Sequence, residues 1–519
     1  MSALGVLSFI LFTLTLKNLR SWNISKNRIL ISLCILFVLQ LFFILAFSGR
    51  NLVENFYGVF GRNTGILTYL SFVIMLFVSA VMASQFIISR FILIFLIVGV
   101  ILIAYGLIQN FGHEPFPYSY TYGNKVIGTF GNPNFHSAFM GILGALAFAT
   151  TLNIEFSKII RIISGLIFLM SIFSINSTNS WQGFFNLVAG MGVAGILLAH
   201  KRGWRKLGYS FTIIGILTAG LIGLGLLNQG PLANIISKAS LTARRFYWEA
   251  AQKMLFDHPL TGVGLDGFGD WFRRSRSAEA FEFNASLTSD TAHSVPLDIA
   301  AGGGFPLLLI YLGLLSLTLY SIVKVVRRGT NLSFGFISIS SAWFSYQAQS
   351  LISINQIALG FIGWTLSGLI IGYASLENSE VEMEAVKKTF KGSVKRKNSL
   401  TFTSFITPII GLILGCLISL PPFIASNRFY EGLKTSDARV VIEKAYAKPL
   451  DPRRLMIAVN ILERNKFYKE SLQMTKYTSQ EFSDLYEVWT TLRSLTNASD
   501  VDKSKALKEL LRLDPNFKP

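Results

Sequence analysis

Apolar residues arrive along this chain in long blocks, separated by short polar segments rich in Lys and Arg. Blocks of the length a bilayer requires, about 20 residues with shorter ones near the ends, fall near 3–16, 29–48, 65–88, 91–109, 135–153, 162–177, 184–199 and 209–228. A long polar interval, 229–303, follows, and then four more blocks near 304–323, 332–350, 357–374 and 403–424. Ser and Gln interrupt the block at 332–350, which makes it the weakest of the set. The pattern predicts an all-α polytopic membrane protein of about twelve transmembrane helices. The first block starts at Ala3 without a cationic segment before it, so it reads as a short span rather than a cleaved signal.

Beyond the last block the period changes. From Asn427 the chain is polar, with helix-spaced apolar positions in ARVVIEKAYAKPL, RRLMIAVNILERN and FSDLYEVWTTLRSL, and it closes on KALKELLRLDPNFKP. Paired amphipathic helices ending in a Leu-Asp-Pro-Asn turn resemble tetratricopeptide repeats, with a plain helical cap as the alternative. The stretch 375–402 mixes Glu and Lys without apolar period and predicts a flexible linker. The expected organisation is therefore a membrane domain, 1–426, and a helical tail, 427–519.

Charge gives the orientation. Alternate connections hold Lys17, Arg20, Lys26 and Arg28; Arg90; Lys158 and Arg161; Lys201, Arg202, Arg205 and Lys206; Lys324, Arg327 and Arg328; and the Lys-rich run from Lys387 to Lys397. The intervening short connections hold only Arg50, Arg62 and Lys125. By the positive-inside rule the first set is cytoplasmic, so the interval 229–303 and the tail face outward. Across 519 residues, 51% are hydrophobic and 14% charged, against about 25% charged in soluble domains. The net charge of +19 sits in these orienting blocks, which argues for a lipid bilayer and against nucleic acid as its partner. Cys34 and Cys416 both lie inside apolar blocks, which excludes a disulfide framework or a zinc site.

The candidate chemistry gathers on the outward face. In LTARRFYWEAAQKMLFDHPLTGVGLDGFGDWF the first part reads as an amphipathic helix from Arg244 to about Phe256, and a Pro–Gly turn follows. Arg244 and Arg245 are adjacent, with Trp248 one turn on. Guanidinium groups near a membrane surface clamp phosphate, because the planar fork donates two charge-assisted hydrogen bonds of about 1.5–3 kcal/mol each. The bland alternative is a pair of arginines on lipid headgroups. His293 stands before the next block beside Asp290, where an imidazole is a credible general base and a carboxylate can orient it. A helix cap or packing role is the alternative there. GVGLDG, from Gly262, matches a dinucleotide fingerprint only formally, since no strand precedes it, and reads as a tight loop. FGNPNFHSAFMG places Asn132 and Asn134 at the start of a span. STNSWQG is a polar break carrying Ser180 and Gln182, and Arg62 precedes the third span. Trp248 can stack on a sugar or simply anchor at the interface.

Together these elements resemble the O-antigen ligase and O-antigen polymerase superfamily of bacterial envelopes. The matching features are GNPN before a span, a polar Ser–Gly break two spans later, R-x-x-x-W with a downstream HPL-x-GVG, a histidine opening the following span, and Gly-Phe-Pro-Leu-Leu shortly after it. They cover roughly residues 55–375. The segment Tyr346 to Gly368 is also similar to the closing spans of members that carry a helical-repeat tail. The resemblance implies an enzyme of the bacterial cytoplasmic membrane. It would transfer or polymerise a glycan from an undecaprenyl-diphosphate-linked donor to a hydroxyl of a glycan, lipid or protein acceptor, with inversion and with no metal or other cofactor. It implies Arg244 as the group that stabilises the departing diphosphate and His293 as the base. Arg62, Arg245, Trp248, Asn132, Asn134, Ser180, Gln182 and Asp290 would bind substrate. Members of the ligase type place an arginine after the serine of the polar break, whereas here Ser180 is followed by Trp181 and Gln182. The competing readings are a transporter or flippase, which would place its polar groups near the bilayer midplane in two related halves, and a scaffold whose tail docks a protein partner.

Overall fold

A computed structural model describes residues 1–16, 27–114, 116, 125–226, 229–231, 239–328, 332–376, 403–435 and 437–517. Lys17, Arg20, Lys26 and the stretch 377–402, including nearly all of the expected linker, lie outside the described residues. Among the described residues the regular structure is helical, with no strand.

A helix stands at each expected span: α1 (Ser2–Thr15), α2 (Arg28–Phe47), a short α3 (Leu52–Tyr57) between spans, α4 (Ile66–Met82), α5 (Gln85–Asn110), α6 (Pro133–Thr151), α7 (Lys158–Ser177), α8 (Gln182–Lys201) and α9 (Arg205–Leu226). The outer interval forms α10 (Ala239–Asp257), α11 (Phe268–Ser275) and α12 (Ala278–Phe283). Then come α13 (Val295–Arg328), α14 (Phe334–Ile352), α15 (Ile357–Ser375) and α16 (Thr403–Ser419). Seven of these are long and apolar enough to cross a membrane by themselves, or eight if α16 and the helix bent from it count as one. The difference from about twelve has a physical reason. α1 and α4 are apolar but short. α6 and α14 carry Asn, His, Ser and Gln yet lie almost wholly inside protein, so their polar groups never meet lipid. The outward surfaces of α2 and α5 instead expose Ile35, Leu39, Phe42, Ile94, Ile97 and Ile101, as a lipid-facing helix does.

Two boundaries shift. α4 stops at Met82 and α5 begins at Gln85, its first free amides capped by Ser84, so Arg90 lies inside α5 against Phe86 rather than in a connection. Small residues bring central helices together: Cβ atoms at Gly368 and Gly372 on α15 would strike the α4 carbonyls of Leu76 and Ala80 at 2.1 and 2.2 Å.

Contacts sort the connections into two ends of the bundle, divided as the charges divide them. At one end Ser375 bonds Asn27, Gln85 bonds Tyr373, Lys201 reaches the Leu332 carbonyl, and Glu155 accepts from the Phe334 amide. At the other end residues 48–65 meet the outer interval: Arg50 pairs with Asp270 and Arg62 with Asp266.

The outer interval has its own small core of Phe246, Met254, Val263, Phe268 and Phe272. It is fixed to the membrane part by backbone against backbone. The Val263 amide donates to the Ala301 carbonyl and the Phe305 amide to the Pro259 carbonyl, both at 2.8 Å. α13 breaks at Gly304 (φ +71), where the chain must turn to receive this loop. Gly262 (φ +58) has no space for a side chain: a Cβ would sit 2.3 Å from the Ala301 carbonyl oxygen. The GVG loop is thus a docking turn, as its reading as a tight loop requires. Gly262→Ala is expected to cost at least the ~1–3 kcal/mol of left-handed strain, to lower the thermal midpoint of the detergent-purified protein, and to open α10–α12 to trypsin. Unchanged protease resistance would contradict this account.

The tail continues as α17 (Pro421–Leu433), α18 (Ala438–Ala445), α19 (Pro452–Arg464), α20 (Tyr468–Glu481), α21 (Tyr486–Ser494) and α22 (Asp500–Leu513). Local chemistry starts these helices: Asp437 and Asp451 cap α18 and α19, Pro452 opens α19, and a Ser499–Asp502 capping box begins α22. Each packs on its sequence neighbour around Leu455, Val459, Val488 and Trp489. The stack lies on the outer interval. Asp514 of the Leu-Asp-Pro-Asn turn meets the Arg276 guanidinium at 2.6 Å with both side chains buried, and Asp484 meets Arg274 at 2.9 Å.

Candidate active site

His293 lies one residue before the cap of α13, in a left-handed conformation (φ +52) that non-glycine residues rarely adopt. Side chains hold it there. Thr291 Oγ1 accepts the His293 amide at 3.0 Å, and Asp298 Oδ1, one turn into α13, accepts the Ala292 amide at 2.7 Å. The imidazole stacks on Tyr247 of α10, centroids 5.3 Å apart and planes at 25°. Arg244, one turn back on α10, places Nη1 2.5 Å from the Ile352 carbonyl at the end of α14. Arg62 comes from the connection before α4, donates to the Asp290 carbonyl at 2.5 Å, and pairs with the buried Asp266 carboxylate at 3.1 Å.

These three groups share one electrostatic environment. Burial, and then the positive charges of Arg244 and Arg62, push the His293 imidazole down to about 4. It is therefore neutral at physiological pH and can accept a proton. Burial also pulls the Arg244 guanidinium below its ordinary value, with Tyr247 opposing. Two guanidinium groups can together receive an anion, and a neutral imidazole can accept a proton. A small cleft adjoins Arg62, lined also by Asp266, Asp290, Asp298, Tyr69 and Asn355.

The other sequence-selected residues separate into distinct places. Arg245 points away on the exposed side of α10, held by Glu249 at 2.8 Å and Glu279 at 3.1 Å. Asp290 does not orient His293. Its carboxylate is exposed and turned toward Arg453 of the tail, and only its carbonyl serves the site, through Arg62. The left-handed turn at His293 sends the ring inward while Asp290 stays at the surface. Trp248 packs on the core of the outer interval, and its indole N–H is buried without a hydrogen-bond partner. Asn132 caps α6, Asn134 accepts the Ser180 hydroxyl at 2.8 Å, and the Ser180 carbonyl receives Ser137 at 3.1 Å. Gln182 begins α8 with a buried amide nitrogen that has no partner. This second group joins α6 to α8. It shares no hydrogen bond or ion pair with the Arg244–His293 group among the described residues. Of the two arginines that could stand in for the cation missing after Ser180, Arg62 lies in the field of His293, whereas Arg245 is taken up by Glu249 and Glu279.

Sequence reasoning missed Tyr247, Asp266 and Asp298. Asp298 carried a readable signal, because a carboxylate at the head of an apolar span is costly unless it serves something; one of its oxygens is buried and unpaired. Asp266 was hidden in a glycine loop, yet its Oδ2 accepts the Val59 amide at 2.7 Å and the Thr64 amide at 3.3 Å, which shapes the turn that presents Arg62. Among the described residues no three His, Cys, Asp or Glu side chains gather as a metal site would.

No curated protein matches the chain. Residues 164–312, from within α7 to within α13, match the family model described as O-antigen ligase, and that segment holds Ser180, Gln182, Arg244 and His293. In this segment the chain is similar to the O-antigen ligases, a family whose members transfer glycans in the membrane.

Proposed function

We propose that the protein transfers a glycan from an undecaprenyl-diphosphate donor to an acceptor hydroxyl on the outer face of a bacterial cytoplasmic membrane. The observation that carries this reading is the shared field of Arg244, Arg62 and His293: two cations for a diphosphate, and an imidazole kept neutral between them. As the bond from the anomeric carbon to the diphosphate oxygen breaks, the electron pair leaves with the lipid diphosphate, and Arg244 with Arg62 stabilises it. The acceptor oxygen forms the new bond from the opposite face while its proton passes to His293, so configuration inverts. The protonated imidazole then releases its proton to solvent.

Incubation of the purified protein with an undecaprenyl-diphosphate oligosaccharide tests this directly. Longer products without an added acceptor indicate a polymerase; products only with a distinct acceptor indicate a ligase; no transfer with any acceptor refutes the proposal. The pH profile tests the base. In the free enzyme burial, and then the two cations, hold His293 low, so the acid limb of kcat/KM should fall near pH 4. A bound diphosphate cancels part of their field, so the acid limb of kcat should lie about 1–3 units higher. Coincident limbs, or limbs unchanged in His293→Ala, would remove His293 from the role.

A further inference from the structure

The connection 48–65 has a cleft on each side. One belongs to the candidate active site. The other, an open groove, lies between this connection and the tail, with Glu54, Tyr57 and Phe60 on one wall and Pro449, Asp451 and Arg453 on the other. The partition between the clefts is thin, because the Asp266 carboxylate reaches across to the Val59 and Thr64 amides. At the rim, Arg453 donates to the Phe60 carbonyl at 3.2 Å and places Nη2 3.9 Å from the Asp290 carboxylate. The carbonyl of the same Asp290 holds Arg62. Through Asp290 the rim of this second cleft is thus linked to Arg62.

We propose that this cleft is the acceptor subsite and takes a saccharide, a reading that rests on glycan transfer as the reaction. The chemistry of the walls selects the class. Tyr57, Phe60 and Pro449 give flat apolar surfaces for the C–H faces of sugar rings. Glu54 and Asp451 supply acceptors for hydroxyl groups, and Arg453 supplies donors. Burial pushes the Glu54 carboxyl up to about 7 against the opposing charge of Arg50, so at neutral pH it donates as well as accepts, as a sugar hydroxyl does. Two carboxyl groups in the walls disfavour an anionic lipid headgroup, and the polar lining disfavours an acyl chain. The tail supplies half of this cleft, and this gives it a part in the reaction: it presents the acceptor.

The test separates binding from chemistry. The probe is the mixture of reducing, lipid-free oligosaccharides released by mild acid from the producing bacterium's own surface polymer. Saturation-transfer NMR on the full-length protein in detergent is expected to show binding by the wild type and by His293→Ala alike. Tyr57→Ala and the rim variant Arg453→Gln are expected to bind about tenfold more weakly, with unchanged far-UV circular dichroism. Tyr57→Phe, which keeps the ring, should bind like the wild type. Absence of binding by the wild type, or equal binding by the wild type and Arg453→Gln, would overturn the subsite. An active His293→Ala that still binds would overturn the catalytic reading and leave the subsite standing.

Discussion

Arg244→Ala should slow glycan transfer by about 10²–10³-fold, the loss typical when one group that stabilises a developing negative charge is removed. His293→Ala should slow it by about 10²–10⁴-fold, the span of general-base contributions. Both variants should remain inserted and folded, because neither side chain supports the core: Arg244 gives up one bond to the Ile352 carbonyl, and His293 one face of Tyr247. The kinetic signatures should differ. Without Arg244 a donor with a better leaving group recovers part of the rate, since less charge then needs stabilising. Without His293 the acid limb of the pH profile disappears. Arg244→Lys keeps the charge but loses the planar fork, and should recover only a fraction of the rate. Normal turnover by either alanine variant in the purified assay would refute the assigned roles.

Asp514→Asn should detach the tail from the outer interval at a cost of about 3–5 kcal/mol, the usual penalty when one partner of a buried ion pair is removed. Among the described residues Arg276 meets no other anion: its remaining bonds go to the Ala285 and Leu287 carbonyls, and its Nε is buried without a partner there. Arg273, 3.5 Å from the same carboxylate, would add a second uncompensated charge. Replacing both members of the pair with apolar residues, Arg276→Met with Asp514→Leu, should restore most of the loss, because a buried pair is worth little over well-packed hydrophobes. Limited proteolysis of α17–α22 reads the docking. Equal resistance in Asp514→Asn and the wild type would show that the pair does not hold the tail. Under the subsite proposal, detachment also raises the KM for the acceptor while leaving donor binding in place.

Much of the scaffold is legible from periodicity alone, since lipid imposes long apolar blocks and charge orients them. The outer helix expected from Arg244 to Phe256 is part of Ala239–Asp257, and the expected turn after it is the GVG loop. Helix geometry says that only one of Arg244 and Arg245 can face the pocket, because consecutive residues point about 100° apart, but it does not say which; the structure turns Arg245 out to Glu249 and Glu279. What a linear pattern does not carry is closure between distant segments. Arg62 finds Asp290 across 228 residues, and Val59 finds Asp266 across 207. No local spacing marks such pairs. Asp290 was attractive only because it stands near His293 in sequence, and a single left-handed residue separates them in space. The α4–α5 boundary fails for another reason: Ala83 and Ser84 are no more polar than the helices they divide, and only the Ser84 cap ends the run.

The pairing of Arg276 with Asp514 also sets a clock. The two residues are 238 positions apart, and at ribosomal rates of about 5–20 residues per second the second is made roughly 10–50 seconds after the first. During that interval Arg276 exists while its anion is not yet synthesised. The outer interval must therefore fold around a solvated cation and bury it only when the late segment arrives. Burial of this pair is therefore a late event in the protein's biogenesis.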